Sequence, residues 1–583
     1  MEHPQITVLD TGGQYCHLIA RRIRELGVYA DVMPSEAPAA QLRDRRALII
    51  SGGPSSVNAV DSPRVDDAAL ALGLPVLGIC YGQQLLTHQL GGEVKRGERG
   101  EYGLAFVEIA VAGTALFASI EGRQQVWMSH FDQVGDLPAG FELLGSTETC
   151  PVAAIGDRRR HLYGVQFHPE VVQTVNGRRL LENFVFGIAN CEKDWEPTHQ
   201  IPIVEEQIRR IANGRSVFFF ASGGVDSTVA YTLCLRALGP ERVHASYVDT
   251  GLMREGETDF VRHVFTDLAQ GSFEVADACR EFLGRLTGVR EPEKKRHIIG
   301  EEFVAVQERI LEQGHYLDGE WILGQGTIYP DTIESGGTKK ADLIKTHHNR
   351  VAGIQKLIDA NRIVEPLKEF YKDEVRQLGR ALGLPAELLD RHPFPGPGLA
   401  IRLLCHERDE AFTKLDSGWL IPVHSVGVQG DERSYRPVLA IETADHLRAT
   451  EVINHERRAN RVVTLVAAHA PVAAMSVWRS EISDARLNRL RRADAIVREI
   501  SLASGYDRTI WQFPVVLIPV GDALRRDSVV LRPIDSVDGM TATAMPIPED
   551  VQRQMTEALL TVEGVCGVFL DLTHKPPATI EWE

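Results

Sequence analysis

At 583 residues the chain is too long for one hydrophobic core, and ordinary domain sizes predict about three to five domains. Its 44% hydrophobic and 25% charged residues exclude disordered, collagen-like and coiled-coil classes, and a net charge of −17 argues against a general nucleic-acid or anionic-membrane surface. Eight scattered cysteines without a C-x-x-C pair suit a reducing compartment better than a disulfide framework or a zinc site. Met1 to Asp10 shows no signal-peptide pattern, and the uncharged run Val462 to Trp478 is interrupted by His469 and Pro471, so a cytoplasmic protein with no membrane and no nucleic-acid partner is expected.

The first segment, 1–191, alternates apolar runs (Ile6–Leu9, Ala47–Ile50, Val76–Ile79) with helical patterns (Gln14–Leu26, Val65–Leu72, Tyr81–Leu90), the rhythm of an α/β domain with a largely parallel sheet. The third run ends in Gly78-Ile79-Cys80-Tyr81-Gly82, a nucleophile elbow in which small residues permit the sharp turn that exposes Cys80. At a helix N-terminus the dipole raises the thiolate fraction. An oxyanion hole is expected from the backbone N–H of Tyr81 with one from the Ser51-Gly52-Gly53-Pro54 loop, assigned to Gly53. Downstream, Gln166-Phe167-His168-Pro169-Glu170 places a carboxylate two residues from an imidazole across a stiff proline, so that Glu170 fixes the tautomer of His168 and His168 takes the thiol proton. The triad is Cys80, His168, Glu170. Elbow, oxyanion loop and HPE together resemble class I glutamine amidotransferase domains, which hydrolyse glutamine and release ammonia. DTGGQYCHLIARR (from Asp10) and WMSHFDQV (Trp127–Val134) are similar to motifs flanking that site, with Phe131 where the family has glycine.

A polar linker, Cys191 to Gln200, leads to the second segment, 198–404. The apolar run Val217–Ala221, the loop Ser222-Gly223-Gly224-Val225-Asp226-Ser227 and a helical pattern from Thr228 form a strand, turn and helix whose backbone N–H groups cradle an anion. A carboxylate such as Asp226 beside phosphates calls for Mg²⁺ between them. The loop lacks the Walker A lysine and resembles the pyrophosphate loop of the ATP pyrophosphatases. A second strand, Val243–Val248, ends at Asp249, which is expected to line the adenosine side. Pro292-Glu293-Lys294-Lys295-Arg296 reads by composition as a solvated helix start. Gly336-Gly337-Thr338-Lys339-Lys340 reads as a glycine-hinged lid leading to Ile344–Asn349, whose paired His347 and His348 suggest metal binding, a reading disfavoured because neighbours on a strand point to opposite faces.

The third segment, 405–583, carries two β-and-α units (Val438–Ile441 with Arg461–Val466, and Val529–Pro533 with Val565–Leu570) and a long amphipathic helix, Ala485–Ser501. Its last residues, KPPATIEWE from Lys575, are too stiff and apolar to fray. The fold class is therefore multi-domain α/β, two parallel-sheet α/β domains followed by an α+β C-terminal domain.

LGQGTIYPD, IKTHHN, EPLKEFYKDEVRQLG, RHPFPGPGLAIR and KPPATIEWE together are similar to the glutamine-hydrolysing GMP synthase family. The resemblance implies substrates glutamine, ATP and xanthosine 5′-monophosphate (XMP), Mg²⁺ with the ATP, no tightly bound organic cofactor, and a homodimer formed by an extended C-terminal segment. It implies ATP contacts at Ser222, Gly223, Gly224, Val225, Asp226, Ser227, Thr228 and the lid lysine Lys345. Its XMP contacts fall on Arg296, Asp431, Arg433, Gln512, Lys575 and Glu581. An NAD synthetase-like ligase is disfavoured because its glutaminase would not carry the GxCxG and HPE set, and a dead scaffold because Cys80, His168, Glu170 and Asp226 are all retained.

Overall fold

Residues 3–13, 15–111, 113–269, 272–334, 352–429, 432–536 and 541–583 are described in a computed structural model. The chain divides into two units, Met1–Ile203 with Tyr329–Thr338, and Val204–Ile328 with Lys339–Glu583.

The first unit is built on nine strands: β1 (Ile6–Asp10), β2 (Ala30–Pro34), β3 (Ala47–Ile50), β4 (Val76–Ile79), β5 (Val94–Ile109), β6 (Arg123–Val134), β7 (Glu142–Ser146), β8 (Ala154–Asp157) and β9 (Leu162–Val165). Their order is β2-β1-β3-β4-β9-β8-β7-β5-β6. The β2-β1-β3-β4-β9 half is parallel, and β8, β7, β5 and β6 extend it antiparallel. In β3 and β4 every side chain is buried, as expected where both faces of a parallel sheet are covered. Helix Tyr81–Gln89 buries Leu85 and Leu86 against that half, at roughly 1.5–3 kcal/mol for each fully buried side chain. Pairing of β4 with β9 (Ile79 opposite Val165) brings the ends of both strands, and so Cys80 and His168, to one edge.

The second unit holds two large sheets. The five-stranded one is parallel throughout: β10 (Ser216–Ala221), β11 (Val243–Asp249), β12 (Phe273–Asp277), β13 (Trp321–Gly324) and β14 (Ile363–Val364), in the order β12-β11-β10-β13-β14. After β10 the chain moves to β11 on one side, then returns to β13 on the other. The switch point therefore lies between β10 and β13, where such sheets bind ligands beyond their carboxyl ends.

The seven-stranded sheet contains both β-and-α units read from the sequence. Glu432–Ile441 pairs in parallel with Arg461–Ala468 through helix His446–His455, and Asp527–Leu531 pairs in parallel with Val565–Asp571 through helix Glu549–Leu559. Helix Asp484–Ser504 starts at Ser483, whose side chain accepts from Arg486 N, and stops at Gly505 with φ 76°. One apolar core spans both sheets, from Phe218 and Val248 to Leu490, Val515 and Leu572, so these two stretches fold around a common interior. Among the described residues no helix is long and apolar enough to cross a membrane.

Candidate active sites

Cys80 sits at φ 53°, ψ −108°, between β4 and helix Tyr81–Gln89. Non-glycine residues enter this region only where the surroundings enforce it, and such strain clusters at functional sites. The enforcement here is visible. A Cβ on Gly78 would lie 2.4 Å from Gly82 O, and one on Gly82 would lie 2.2 Å from Ile50 O, so the turn closes only with glycine at both positions. Cys80 is nearly buried, and its thiol donates to Ser129 O at 3.7 Å.

His168 Nδ1 pairs with Glu170 Oε1 at 2.7 Å, with both side chains buried. Burial opposes a charge on the ring, yet the Glu170 carboxylate and the Cys80 thiol raise His168 well above the ordinary imidazole range. Other contacts hold the pair in place: His168 N donates to Trp127 O, the Thr174 hydroxyl donates to His168 O at 2.6 Å, and Arg22 Nε donates to Glu170 O at 3.0 Å. Arg22 lies in the DTGGQYCHLIARR stretch, and nothing local in that stretch announced its partner. A Cβ on Gly52 would fall 3.1 Å from His168 Cε1 and 3.6 Å from Cys80 Cβ, so this loop closes directly over the triad. The cleft, about 520 Å³, is lined by Gly52, Gly53, Cys80, Tyr81, Phe131 and His168, with the expected oxyanion donors among them. Phe131 faces this cleft, and the Arg96 guanidinium lies 4.5 Å from its ring.

In the second unit the loop after β10 is fastened by its own side chains. Ser222 Oγ accepts from Gly224 N at 3.2 Å and meets Ser227 Oγ at 2.9 Å, while Ser227 and Thr228 hydroxyls donate to Gly224 O. Thr228 is fully buried, so its hydroxyl braces the turn from inside. Gly223 has φ 72°, and Gly224 caps helix Val225–Leu238. From the other side of the switch point, Gly326 approaches so closely that a Cβ there would lie 2.8 Å from Ser227 N. Asp226, in the first helical turn, has both carboxylate oxygens 2.6 Å from Lys372 Nζ. Sequence reasoning quoted the stretch around Lys372 without giving it a role. Asp249 closes its strand by accepting from Gly251 N and the Thr258 hydroxyl.

The C-terminal residues are seated, as their composition predicted. Trp582 is fully buried and its Nε1 donates to Asp571 Oδ2 at 3.0 Å, an oxygen also held by Arg461 and Arg532. Glu581 accepts two bonds from Arg402, at 2.9 and 2.7 Å. Arg296 donates to Glu583 O. Gln512 is buried and exchanges backbone bonds with Ile534, and Lys575 is half-buried with backbone bonds to Ala542.

One expectation is corrected. The basic run at Pro292 does open helix Pro292–Gln313, and Glu293 and Lys294 are exposed there, but Lys295 is not solvated: it is fully buried, donating to Ala400 O, Leu403 O and, at 2.5 Å, Glu583 Oε2. Three acceptors replace the water that a buried ammonium loses. Lys345, with Lys339, Lys340, His347 and His348, lies outside the described residues, as does Asp431; Arg433 lies in strand Glu432–Ile441, opposite Val428.

Two family models match the chain: "Glutamine amidotransferase class-I" over residues 7–188 and "GMP synthase C terminal domain" over residues 498–582. Whole-chain relatives agree with them. The chain is 40% identical to a probable glutamine-hydrolyzing GMP synthase of Leptospira interrogans, covering all of both chains. It is 40% identical to the GMP synthase [glutamine-hydrolyzing] of Symbiobacterium thermophilum over 99% of each, and 39% identical to that of Aquifex aeolicus over all of both. The elbow, its buried His–Glu pair and this end-to-end likeness place the chain in the glutamine-hydrolysing GMP synthase family of glutamine-using ligases.

Proposed function

We propose that the chain makes GMP from XMP, ATP and glutamine in two half-reactions, and the Cys80 elbow with its buried His168–Glu170 pair carries the reading. Cys80 Sγ attacks the γ-carboxamide carbon of glutamine, and the oxyanion takes the N–H groups of Tyr81 and Gly53. His168 gives its proton to the leaving nitrogen, and ammonia departs. Water then attacks the thioester with His168 as base, releasing glutamate. Glu170 keeps the ring oriented throughout.

In the other half-reaction the Ser222–Thr228 loop holds the phosphates of ATP. XMP O2 attacks the α-phosphorus, pyrophosphate leaves into the loop, and ammonia displaces AMP from C2 to give GMP. Asp226 suits Mg²⁺ arriving with ATP, since its carboxylate already takes a cation, the Lys372 ammonium, and Mg²⁺ sites commonly use one carboxylate plus substrate phosphates. Such an ion neutralises phosphate charge. Lys372 is then free to take a phosphate oxygen. Arg296, Gln512, Lys575 and Glu581 carry XMP in this reading, with Asp431 and Arg433 beside them and Lys345 on the ATP. The protein is read as a cytoplasmic homodimer.

The test is a single assay of GMP and pyrophosphate formation from XMP, ATP and glutamine, run beside one with ammonium chloride in place of glutamine. Both mixtures should yield GMP and pyrophosphate in equal amounts. Pyrophosphate without GMP, or GMP that depends on neither ATP nor XMP, would sink the reading.

A further inference from the structure

Glu101 and His130 face each other directly across β5 and β6. Beneath them a turn closes from Thr147 to Cys150: Cys150 N donates to Thr147 Oγ1, and Thr147 Oγ1 donates in turn to Glu101 Oε1 at 3.0 Å. The three potential ligand atoms of Glu101, His130 and Cys150 lie within 4.8 Å of one another. Cys150 is fully buried and His130 nearly so. Nothing in the proposed reaction uses Glu101 or Cys150.

The geometry of the pair distinguishes it from the catalytic one. His130 Nε2 and Glu101 Oε2 are 3.4 Å apart, whereas His168 Nδ1 and Glu170 Oε1 are at 2.7 Å. A charge-assisted hydrogen bond is about 2.7–2.9 Å long, and the His168–Glu170 pair matches it. Two ligands about 2.1 Å from a tetrahedral centre lie about 3.4 Å apart, and the Glu101–His130 pair matches that. His130 Nδ1 is 3.0 Å from Asp132 O, which can only accept, so Nδ1 is the donor and Nε2 is the nitrogen turned toward Glu101. A backbone carbonyl on the far nitrogen is the usual orienting partner of a ligating histidine.

We propose that Glu101, His130 and Cys150 form a site for a borderline divalent cation of the zinc type, a site that acts on glutamine hydrolysis. Imidazole, thiolate and one carboxylate select such an ion over Mg²⁺ or Ca²⁺, which take oxygen ligands. Glu101 and His130 already stand at the 3.4 Å of a filled tetrahedral site, so an ion there has only to bring the Cys150 sulfur in from within 4.8 Å to about 3.6 Å. On β6 the neighbours of His130 are Ser129, whose carbonyl accepts from Cys80, and Phe131, which lines the cleft. Tying His130 through an ion to Cys150 therefore fixes the strand that forms the wall against which glutamine binds. No sequence spacing could show this, because the ligands come from two strands and a turn. The effect on catalysis rests on the glutaminase reading; the cation site does not.

The experiment uses the full chain with Cys80→Ala, which removes the nucleophilic thiol as a competing ligand, and titrates it with Co²⁺ as a spectroscopic stand-in for zinc. One equivalent should produce thiolate-to-cobalt charge transfer and the visible bands of four-coordinate cobalt. Adding Cys150→Ser should abolish the charge transfer, and Glu101→Gln should weaken binding by about tenfold or more. No charge-transfer band, or one that survives Cys150→Ser, overturns the site. Should Cys150→Ser fail to fold, an unchanged Co²⁺ affinity in Glu101→Gln overturns it. For the regulatory half, Zn²⁺ should inhibit glutamine hydrolysis in the wild-type chain, with Glu101→Gln raising the half-inhibitory concentration by about tenfold. Equal inhibition of both would leave the cation site without its effect on catalysis and overturn that half.

Discussion

Lys372 Nζ lies 2.6 Å from both carboxylate oxygens of Asp226. Gly224, not Asp226, is the cap of the helix, so a capping role for the carboxylate is ruled out. Asp226→Asn keeps the shape and removes the charge. Pyrophosphate release should fall by about 10- to 100-fold with a steeper Mg²⁺ requirement, and Lys372→Met should lower it comparably. Glutamine hydrolysis should change much less. Near wild-type release with an unchanged Mg²⁺ dependence in Asp226→Asn would show that the carboxylate has no part in the ATP half-reaction.

Cys80→Ala should eliminate GMP formation from glutamine while leaving formation from ammonium salts, because the nucleophile serves one half-reaction only. The measurement is GMP yield with each nitrogen source on a variant whose circular dichroism matches wild type. Loss of both activities in a folded variant would contradict the division of labour.

The pH dependence of His168 has a definite sign. Its protonated form is favoured by folding, so its contribution to stability is fully present below the unfolded imidazole value of 6.5 and is lost as pH rises through the higher folded value. Glu170→Gln removes the main partner that raises it. In that variant the pH at which the contribution fades should shift downward, and glutamine hydrolysis should fall by about 10- to 100-fold. Thermal midpoints collected between pH 6 and 9, as a rough span around the imidazole range, read the shift. An unmoved profile would mean that Glu170 does not govern the ring's charge.

Removing the C-terminal stretch from Lys575 would be a poor test of XMP binding, since Trp582 is a fully buried core residue tied to Asp571. Lys575→Ala is the cleaner probe, because the side chain is half-buried and its backbone bonds to Ala542 remain. XMP affinity by calorimetry should drop about tenfold or more, as for loss of a charge-assisted phosphate contact, with an unchanged melting temperature. Unaltered affinity would remove Lys575 from the XMP site.

Gly326→Ala should damage the phosphate loop without substituting any residue of that loop. Its Cβ would lie 2.8 Å from Ser227 N, a backbone atom that yields only if the loop moves. An overpacked contact of this kind costs about 1–3 kcal/mol. ATP should bind about tenfold more weakly, with glutamine hydrolysis intact. A variant that binds ATP normally would show that the crossing of the two loops tolerates a methyl group.

The elbow at Cys80, the SGGVDS turn and the buried strands β3, β4 and β10 were all legible before any coordinates, because each is dictated over a handful of residues by backbone sterics and apolar periodicity. The HPE pair was legible for the same reason: two residues separate its members. Partnerships across long separations were not. Lys372 lies 146 positions from Asp226, Arg402 lies 179 from Glu581, and Lys295 lies 288 from Glu583. Lys295 looked solvated by composition, and only folding around the common core of the second unit removed its water and supplied acceptors in exchange, whereas Lys372 stays partly exposed beside Asp226. The Glu101–His130–Cys150 cluster belongs to the same class, since strand register and a turn, not spacing, bring its members together. Local chemistry is written in short words along the chain, whereas the counter-charges and cation ligands that complete it depend on which strands become neighbours.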